Sequence, residues 1–268
     1  MSAIGLLLRL ELALIRRNRT VLTLFVFFPL IGIVLPSATV LLASKMVVVA
    51  ASGTDPLLSP LYQMAQSFAV MGGLDLTAAA RWLLLRLTAN YYLMMPALMV
   101  PITAAFAVAG ERQQRSLEPL LATPLSDRAF CLGKLLASVL PAVTMSWLAA
   151  MVGALLAALL VYADHGVWLW PDAPWWLAVG VLTPLLGLVV AQACLWVSVR
   201  ARDTQAASQI SVLVVTPILL LVMSVLGPRL VLDTGAIAWG GLALVAVNAL
   251  LWPWVRRQFQ RSGVLGCD

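Results

Sequence analysis

Side chains that could carry out chemistry are few in this sequence. It has one histidine and three cysteines in 268 residues, and the positions of Cys131, Cys194 and Cys267 give no metal-binding spacing and no plausible disulfide framework. The dipeptide Gly133-Lys134 suggests a nucleotide-binding phosphate loop, but Leu135 follows it and no glycine stands five residues before Gly133. We therefore expect no catalytic, cofactor-binding or metal-binding residue, and we expect that this chain does not hydrolyse ATP by itself.

Four side chains in the short polar connections are a second place where chemistry could occur. They are Asp164, His165, Asp172 and Asp233. Isolated acids in solvated loops are commoner than metal ligands, because acidic side chains are mostly exposed. We interpret these residues as ordinary loop residues and keep metal binding as the lesser alternative.

Charge is concentrated in one stretch, residues 110–128, which separates two long apolar runs and holds six charged residues. Glu111 and Arg115 are four residues apart in the order that favours a helical ion pair, so the preceding helix is expected to continue through them. Pro119 then interrupts it, because proline removes a backbone donor and clashes with the turn before it. The pattern predicts the end of one helix, a break and a second, short helix.

Three leucines in this charged stretch follow helical spacing. Leu117, Leu120 and Leu121 occupy positions i, i+3 and i+4, which places them on one helical face. Ser126 is a suitable N-cap for the next helix, and Asp127 suits its first turn. Such an apolar ridge either rests on the lipid surface or docks into a groove of a soluble partner, and the pattern alone leaves both interpretations open.

The composition indicates which elements must position this stretch. Hydrophobic residues make up 62% of the chain, charged residues make up 10%, and mean hydropathy is +0.99. Soluble domains are about a quarter charged, and a membrane-spanning helix needs about 20 apolar residues. The apolar runs are continuous rather than alternating, so we predict an all-α membrane protein. Its six transmembrane helices are predicted at residues 21–44, 89–110, 131–163, 175–199, 209–226 and 235–254.

Lys and Arg placement predicts the orientation, since cytoplasmic segments carry most of these residues. With the N-terminus inside, 13 of the 17 basic residues fall on the inner side, and both termini are cytoplasmic. The net charge of +6 is therefore interpreted as a topology signal, and no nucleic acid is expected as a partner. The predicted location is the cell (inner or plasma) membrane, as a multi-pass protein. The four outer residues are Lys45, Arg81, Arg86 and Arg229.

Two segments outside the spans are expected to lie at the membrane surface. Residues 1–19 are predicted to form an interfacial helix, which serves either as a plain anchor or also as a contact for a cytosolic partner. Residues 45–88 are predicted to be the main outer loop, with a short amphipathic helix over residues 76–87 lying on the outer surface. The polar residues of the interfacial helix are Arg9, Glu11, Arg16, Arg17 and Arg19.

Ionisable residues are nearly absent from the interior of the predicted spans, where Gln192 and Asn248 are the main polar side chains besides serines and threonines. A carrier driven by protons or sodium usually needs a buried ionisable group to bind its coupling ion. An ion-coupled secondary transporter is therefore a weaker alternative, and a membrane assembly factor without transport activity is another. The two amides, with Met95 and Met99, are possible residues of a substrate path, although packing is the commoner role of such side chains.

The motifs around the charged stretch resemble those of a known family, the membrane subunits of ATP-binding cassette (ABC) transporters of the type-2 permease class. In that family the second span ends in Gly-Glu-Arg, and Thr/Ser-Leu-Glu, Leu-Leu, Thr-Pro and a Gly-Lys that enters the third span follow it. Residues 200–209 resemble the family's second cytoplasmic loop. The matching residues here are Gly110-Glu111-Arg112, Ser116-Leu117-Glu118, Leu120-Leu121, Thr123-Pro124 and Gly133-Lys134.

The resemblance implies a single permease domain over residues 1–268, with a cytoplasmic coupling helix within residues 111–130. It implies that the chain acts as an ATP-driven exporter with a separate ATPase subunit, which binds the ATP and Mg²⁺, and with a second permease copy or a paralogous permease. Membrane lipids surround the assembly. The residues implied in ATPase contact are Glu111, Arg112, Arg115, Leu117, Glu118, Leu120, Leu121, Arg200, Arg202, Asp203 and Gln205.

Overall fold

Helices form nearly all of the described chain. A computed structural model describes residues 5, 13, 19–51, 59–73, 75–105, 109–110, 127–166, 168–201, 203–232 and 234–258. A π-helical segment, Ala178–Leu182, joins α6 to α7, so that these three pieces form one continuous span. The α-helices are α1 (Arg19–Leu41), α2 (Ala43–Ala51), α3 (Ser59–Gly72), α4 (Leu76–Ala105), α5 (Asp127–His165), α6 (Ala173–Leu177), α7 (Thr183–Arg200), α8 (Thr204–Leu232) and α9 (Thr234–Gln258).

Six of these helical segments are long and apolar enough to cross a membrane, which confirms the predicted fold class. Each contains a predicted apolar run or most of one, because hydrophobic length is a local property that the sequence records directly. The shorter α2 and α3 lie between the first and second spans. The six spans are Val21–Leu41, Leu76–Ala104, Arg128–Ala163, Ala173–Arg200, Thr204–Ser224 and Gly235–Gln258.

The second span begins earlier than predicted. The sequence predicts a separate surface helix over residues 76–87, but these residues are the first part of the 30-residue α4. Asp75 caps α4: the Thr77 amide donates to Asp75 Oδ2 at 3.3 Å and the Thr77 hydroxyl donates to the same carboxylate, which lowers the pKa of Asp75. The prediction was wrong because Arg81 interrupts the apolar run in the sequence, whereas the fold buries its side chain.

The segment between the first two spans is also more ordered than the predicted outer loop. Small side chains let α2, α3 and α4 approach each other closely, and an apolar cluster forms where they meet. Residues 45–88 therefore include most of α2, all of α3 and the start of α4 rather than one long loop. The buried members of the cluster are Ala43, Val47, Ala65, Ala80 and Leu83.

The helix α4 is central to the bundle. It packs against α1, α5, α7 and α8, and α7 in turn contacts α5, α8 and α9. In the most apolar part of the second and fourth spans 61% of the residues are buried, against 28% in the fifth span and 22% in the sixth. The fifth and sixth spans therefore present most of their apolar side chains outward, as helices that face lipid do.

A close helix crossing joins α1, α4 and α5. The Tyr92 hydroxyl of α4 donates to Gly32 O of α1 at 3.0 Å, and Ser37 Oγ of α1 donates to Gly153 O of α5 at 3.1 Å. A Cβ atom at Gly153 would overlap the Tyr92 hydroxyl. Glycine is required there because only a residue without a side chain lets the helices come this close.

One end of the bundle, which we call the Asp172 end, contains an ion pair between two distant parts of the chain. Arg86 Nε of α4 donates to Asp172 Oδ2 at 2.9 Å in a salt bridge, and the Arg86 guanidinium lies 5.2 Å from the centre of the Phe68 ring of α3. Asp172 Oδ1 also accepts a hydrogen bond from Trp175 N at 3.3 Å and caps α6. The interpretation of Asp172 as an isolated loop acid was wrong, because its partner is 86 residues away in the sequence.

The Trp175 indole also joins two spans at the Asp172 end. Trp175 Nε1 donates to Leu85 O at 3.1 Å and to Thr88 Oγ1 at 3.2 Å, so the start of the fourth span is hydrogen-bonded to α4. The Trp175 ring also packs edge-to-face against Tyr92, with ring centres 5.6 Å apart. Because Trp175 is buried, these bonds satisfy a donor that would otherwise be costly to remove from water.

Candidate functional site

The opposite end of the bundle, which we call the Arg200 end, contains the last turns of α7 and α9 and the first turns of α5 and α8. Most of the charged stretch and most of the interfacial helix lie outside the described residues. The structure describes Arg19, which is exposed at the start of α1. The predicted residues that lie outside the described part are Arg9, Glu11, Arg16, Arg17, Glu111, Arg112, Arg115, Leu117, Glu118, Leu120, Leu121 and Arg202.

The residue just before the charged stretch, Ala109, lies beside the turn between α7 and α8. Ala109 N donates to Ser198 Oγ of α7 at 3.2 Å. The Ala109 side chain is buried in a small cluster with Ala201, at the end of α7, and Ala207, in the first turns of α8. The residue just before the charged stretch is therefore packed beside the turn that the sequence analysis assigned to partner contact.

The residues of the turn have distinct local roles. Asp203 Oδ1 accepts a hydrogen bond from Ala206 N at 2.7 Å, so this carboxylate caps α8. Gln205 is exposed in the first turn of the same helix. Asp203 is thus fixed by the backbone that it caps, while Gln205 is available to another molecule.

Arg200 lies back over its own helix. Its guanidinium is 4.2 Å from the centre of the Trp196 ring, one turn earlier in α7, and Arg200 Nη1 donates to Trp196 O at 3.3 Å. The Trp196 ring stacks on Trp254 of α9, with ring centres 6.5 Å apart and planes 17° apart. This places one exposed cation on a two-ring aromatic surface at the end of the fourth and sixth spans.

The polar residues predicted for a substrate path divide between two locations. Gln192 Nε2 donates to Asn248 Oδ1 at 2.7 Å, and Asn248 Nδ2 donates to Leu185 O and Leu244 O at 3.0 and 2.8 Å. These amides join α7 to α9 within the membrane-spanning part. Met95 and Met99 are instead buried in the main core on α4, which is the packing role that the sequence left open as the alternative.

Lys134 was recognised in the sequence only as part of a motif, and the structure gives it a distinctive position. It is the eighth residue of α5 and is completely buried, with its ammonium 5.6 Å from the centre of the Phe130 ring. The sequence did contain a signal for this position, since Lys134 is a lone lysine inside an apolar run. Buried cations in membrane helices are costly and commonly functional. Lys134 is therefore buried in the first turns of the third span, at the Arg200 end.

Comparison with known protein families identifies the chain. The model of the ABC-2 family transporter protein matches residues 83–244, which is more than half of the 268 residues. The matched region runs from α4 into α9 and includes the charged stretch and the turn between α7 and α8. A sequence comparison with individual curated proteins gives no significant match. The family match and the six apolar helices agree, and this chain belongs to the ABC-2 family of transporter membrane proteins.

Proposed function

We propose that this chain is the permease subunit of an ATP-driven exporter in the cell membrane. In this proposal it works with a separate cytosolic ATPase subunit and with a second permease, either a copy of itself or a paralogue. Membership of the ABC-2 transporter family and six apolar spans support the role of a transport membrane component. The partner ATPase supplies the ATP and Mg²⁺ sites, and the chain's own residues receive and transmit the movement.

The observation that carries the proposal is the junction between Ala109, Ser198 and Ala207. It packs the residue just before the charged stretch against the turn between α7 and α8, which supports a contact of one partner with both segments at the Arg200 end. Gln205 is exposed within this turn. A coupling contact needs such a rigid connection, because a movement applied to a freely moving loop would not reach the spans.

The packing of α4 explains how a local movement would spread. The charged stretch follows α4 in the chain, and α4 contacts four of the other spanning helices. A force applied at residues 111–121 therefore acts on the helix with the most extensive packing in the bundle. In the proposed mechanism, closure of the ATPase pair pushes on the leucine ridge of Leu117, Leu120 and Leu121, and the spans rock against the second permease to move substrate across the membrane.

The charge distribution supports a cytoplasmic Arg200 end. Arg128, Arg200 and Arg257 are exposed there, whereas Arg86 at the Asp172 end is paired within the chain. Basic residues near the ends of spans favour the cytoplasmic side of the membrane. This orientation places the charged stretch on the side of the membrane where ATP is available.

The proposal is tested by reversing charge on the predicted coupling segment. The double variant Glu111→Lys/Glu118→Lys is expected to lose the copurified nucleotide-binding subunit, or to keep it while ATP hydrolysis no longer drives transport. The full-length chain is purified from its native membranes, bound subunits are identified by mass spectrometry, and ATP hydrolysis is measured in the complex and in reconstituted vesicles.

The matched control is Asp75→Asn, which alters an exposed acid at the Asp172 end and keeps a capping side chain. It is expected to retain the subunit and its ATP hydrolysis. The coupling assignment fails if the double variant binds the ATPase subunit and couples ATP hydrolysis to transport as well as the control. The wider proposal fails if no nucleotide-binding protein copurifies with the unmodified chain.

A further inference from the structure

A cleft opens between α7, α8 and α9 near the Arg200 end. Its volume is about 250 Å³, and its exposed inner surface is apolar throughout. Pockets for drug-sized ligands measure about 300–1,000 Å³ and contain a few polar groups that orient the ligand. This cleft is smaller in volume and exposes no polar surface. It suits a segment of one hydrocarbon chain. Its lining includes Gln192, Trp196, Val214, Ile218, Leu251 and Trp254.

The cleft lies within the depth of one bilayer leaflet from Arg200. Gln192 and Arg200 are eight residues apart on α7, which corresponds to roughly 12 Å along the helix axis. The hydrocarbon region of a bilayer is about 30 Å thick, so each leaflet contributes about 15 Å. A chain that starts at the level of Arg200 and lies in the cleft would therefore reach towards the middle of the membrane, as an acyl chain does.

Cations lie at the mouth of the cleft. Trp196 and Trp254 form part of its lining at that end, and the Arg200 guanidinium lies over the Trp196 ring. Arg257 is exposed and follows Trp254 by three residues on α9, so it lies on the same helical face one turn closer to the end. No carboxylate of the described residues is within ion-pair distance of Arg200.

We propose that the α7–α8–α9 cleft binds an anionic phospholipid, with one acyl chain in the cleft and the phosphate at Arg200. Basic residues between membrane helices at the end of a hydrophobic cleft recognise anionic headgroups in this way. The position of the Arg200 guanidinium favours a lipid over a soluble partner, because it lies one turn back towards the membrane rather than beyond the end of α7. This site does not depend on the proposed ATPase contact, and lipid retention measures it separately.

The test compares retention of two lipids with identical acyl chains, phosphatidylglycerol and phosphatidylcholine, by native mass spectrometry of the full-length chain in detergent. The unmodified chain is expected to retain phosphatidylglycerol preferentially. Arg200→Gln is expected to lower that preference about fivefold, as the loss of one surface cation does. Ile218→Trp, which fills the cleft, is expected to reduce retention of both lipids because the acyl chain loses its place.

The matched control is Arg128→Gln, which removes an exposed cation at the same end but on α5, away from the cleft. This variant is expected to keep the lipid preference within about twofold of that of the unmodified chain, since Arg128 does not line the site. Equal effects of Arg128→Gln and Arg200→Gln would overturn the proposal, because they would indicate only general surface charge. Equal retention of the two lipids by the unmodified chain would overturn it as well.

Two further outcomes bear on what occupies the cleft. If Ile218→Trp leaves lipid retention unchanged but abolishes a dimer seen by gel filtration, the cleft is an interface between copies and the lipid assignment is wrong. If Arg200→Gln loses a copurified ATPase subunit while its lipid preference is unchanged, Arg200 belongs to the partner contact instead. Should Ile218→Trp not fold, the comparison of Arg200→Gln with Arg128→Gln decides the question by itself.

Discussion

At the Asp172 end of the bundle Arg86 pairs with Asp172 and lies over Phe68, whereas at the Arg200 end Arg200 lies over Trp196 with no described carboxylate beside it. The indole groups differ in the same way. Trp175 Nε1 donates two hydrogen bonds, while Trp196 Nε1 is buried without a hydrogen-bond partner among the described residues. For these two pairs of side chains, the polar contacts at the Asp172 end are completed within the chain, and those at the Arg200 end are not completed by described residues.

At the Asp172 end, hydrogen bonds from Arg86 and Trp175 join α4 to the start of the fourth span. Along the cleft, Gln192 Oε1 and Trp196 Nε1 have no hydrogen-bond partner within the described part of the chain, and both residues line the cleft. Incomplete polar satisfaction marks the region where lipid, a partner protein or a change of helix packing adds the missing contacts.

The largest expected effect is at the glycine crossing, in the half of the molecule nearer the Asp172 end. Gly153→Ala should lower stability by about 2–3 kcal/mol, because the added methyl overlaps the Tyr92 hydroxyl and forces α4 and α5 apart. The apparent melting temperature in detergent, followed by gel filtration after heating, measures the loss. Gly180→Ala is the control, since a Cβ there meets no atom within 4 Å. Equal losses in both variants would show that the crossing is not rigid.

An intermediate effect is expected from Trp175→Phe. The change leaves Leu85 O and Thr88 Oγ1 without the indole donor in a buried site, which should cost about 1–2 kcal/mol. The same thermal assay measures it. Trp239→Phe, at a residue that is 75% exposed, should change little. If Trp175→Phe is as stable as that control, the proposed contrast in polar satisfaction between the two ends loses its main support.

The smallest expected effect is the removal of the Arg86 charge. Arg86→Gln should lower stability by no more than about 1 kcal/mol, because the side chains of Arg86 and Asp172 are 25% and 24% exposed and solvent screens the pair. Part of the loss should disappear in high salt. Arg128→Gln, which removes an exposed cation from the Arg200 end, should have no effect on melting in lipid-free detergent.

A double-mutant cycle measures the coupling between Arg86 and Asp172 directly. Asp172→Asn keeps a capping side chain for α6 and removes only the negative charge. Combined with Arg86→Gln it should cost less than the sum of the two single variants, since both remove the same ion pair. Additive losses would mean that the two residues contribute through separate contacts.

The six spans, their order and their approximate bounds could be predicted because each depends on a continuous run of apolar residues. The start of the fourth span shows how close such a prediction comes, at residue 175 in the sequence analysis and Ala173 in the structure. The start of the second span shows the limit. Arg81 makes residues 76–87 look like a surface helix, and only the neighbouring helices that bury Arg81 allow α4 to begin at Leu76.

The candidate site could be predicted only in part. The charged stretch and the turn at residues 200–205 were each recognisable from local residue types, but their proximity was not. Ala109 and Ser198 are 89 residues apart, and an alanine amide and a serine hydroxyl have no pattern that predicts their hydrogen bond. The cleft was not predictable either, because its lining comes from three helices whose outward and inward faces are similarly apolar.

Residue types and their order specify a helical membrane protein with six spans and a concentrated central charge, because hydrophobic length and local charge are properties of contiguous residues. Which polar groups find a partner depends on how the helices pack. A buried or half-buried charge is stabilised by whatever group lies beside it in space, and for Arg86 that group is Asp172 in a distant part of the chain. Helix packing therefore gives Arg86 a carboxylate partner within the chain and leaves Arg200 without one among the described residues.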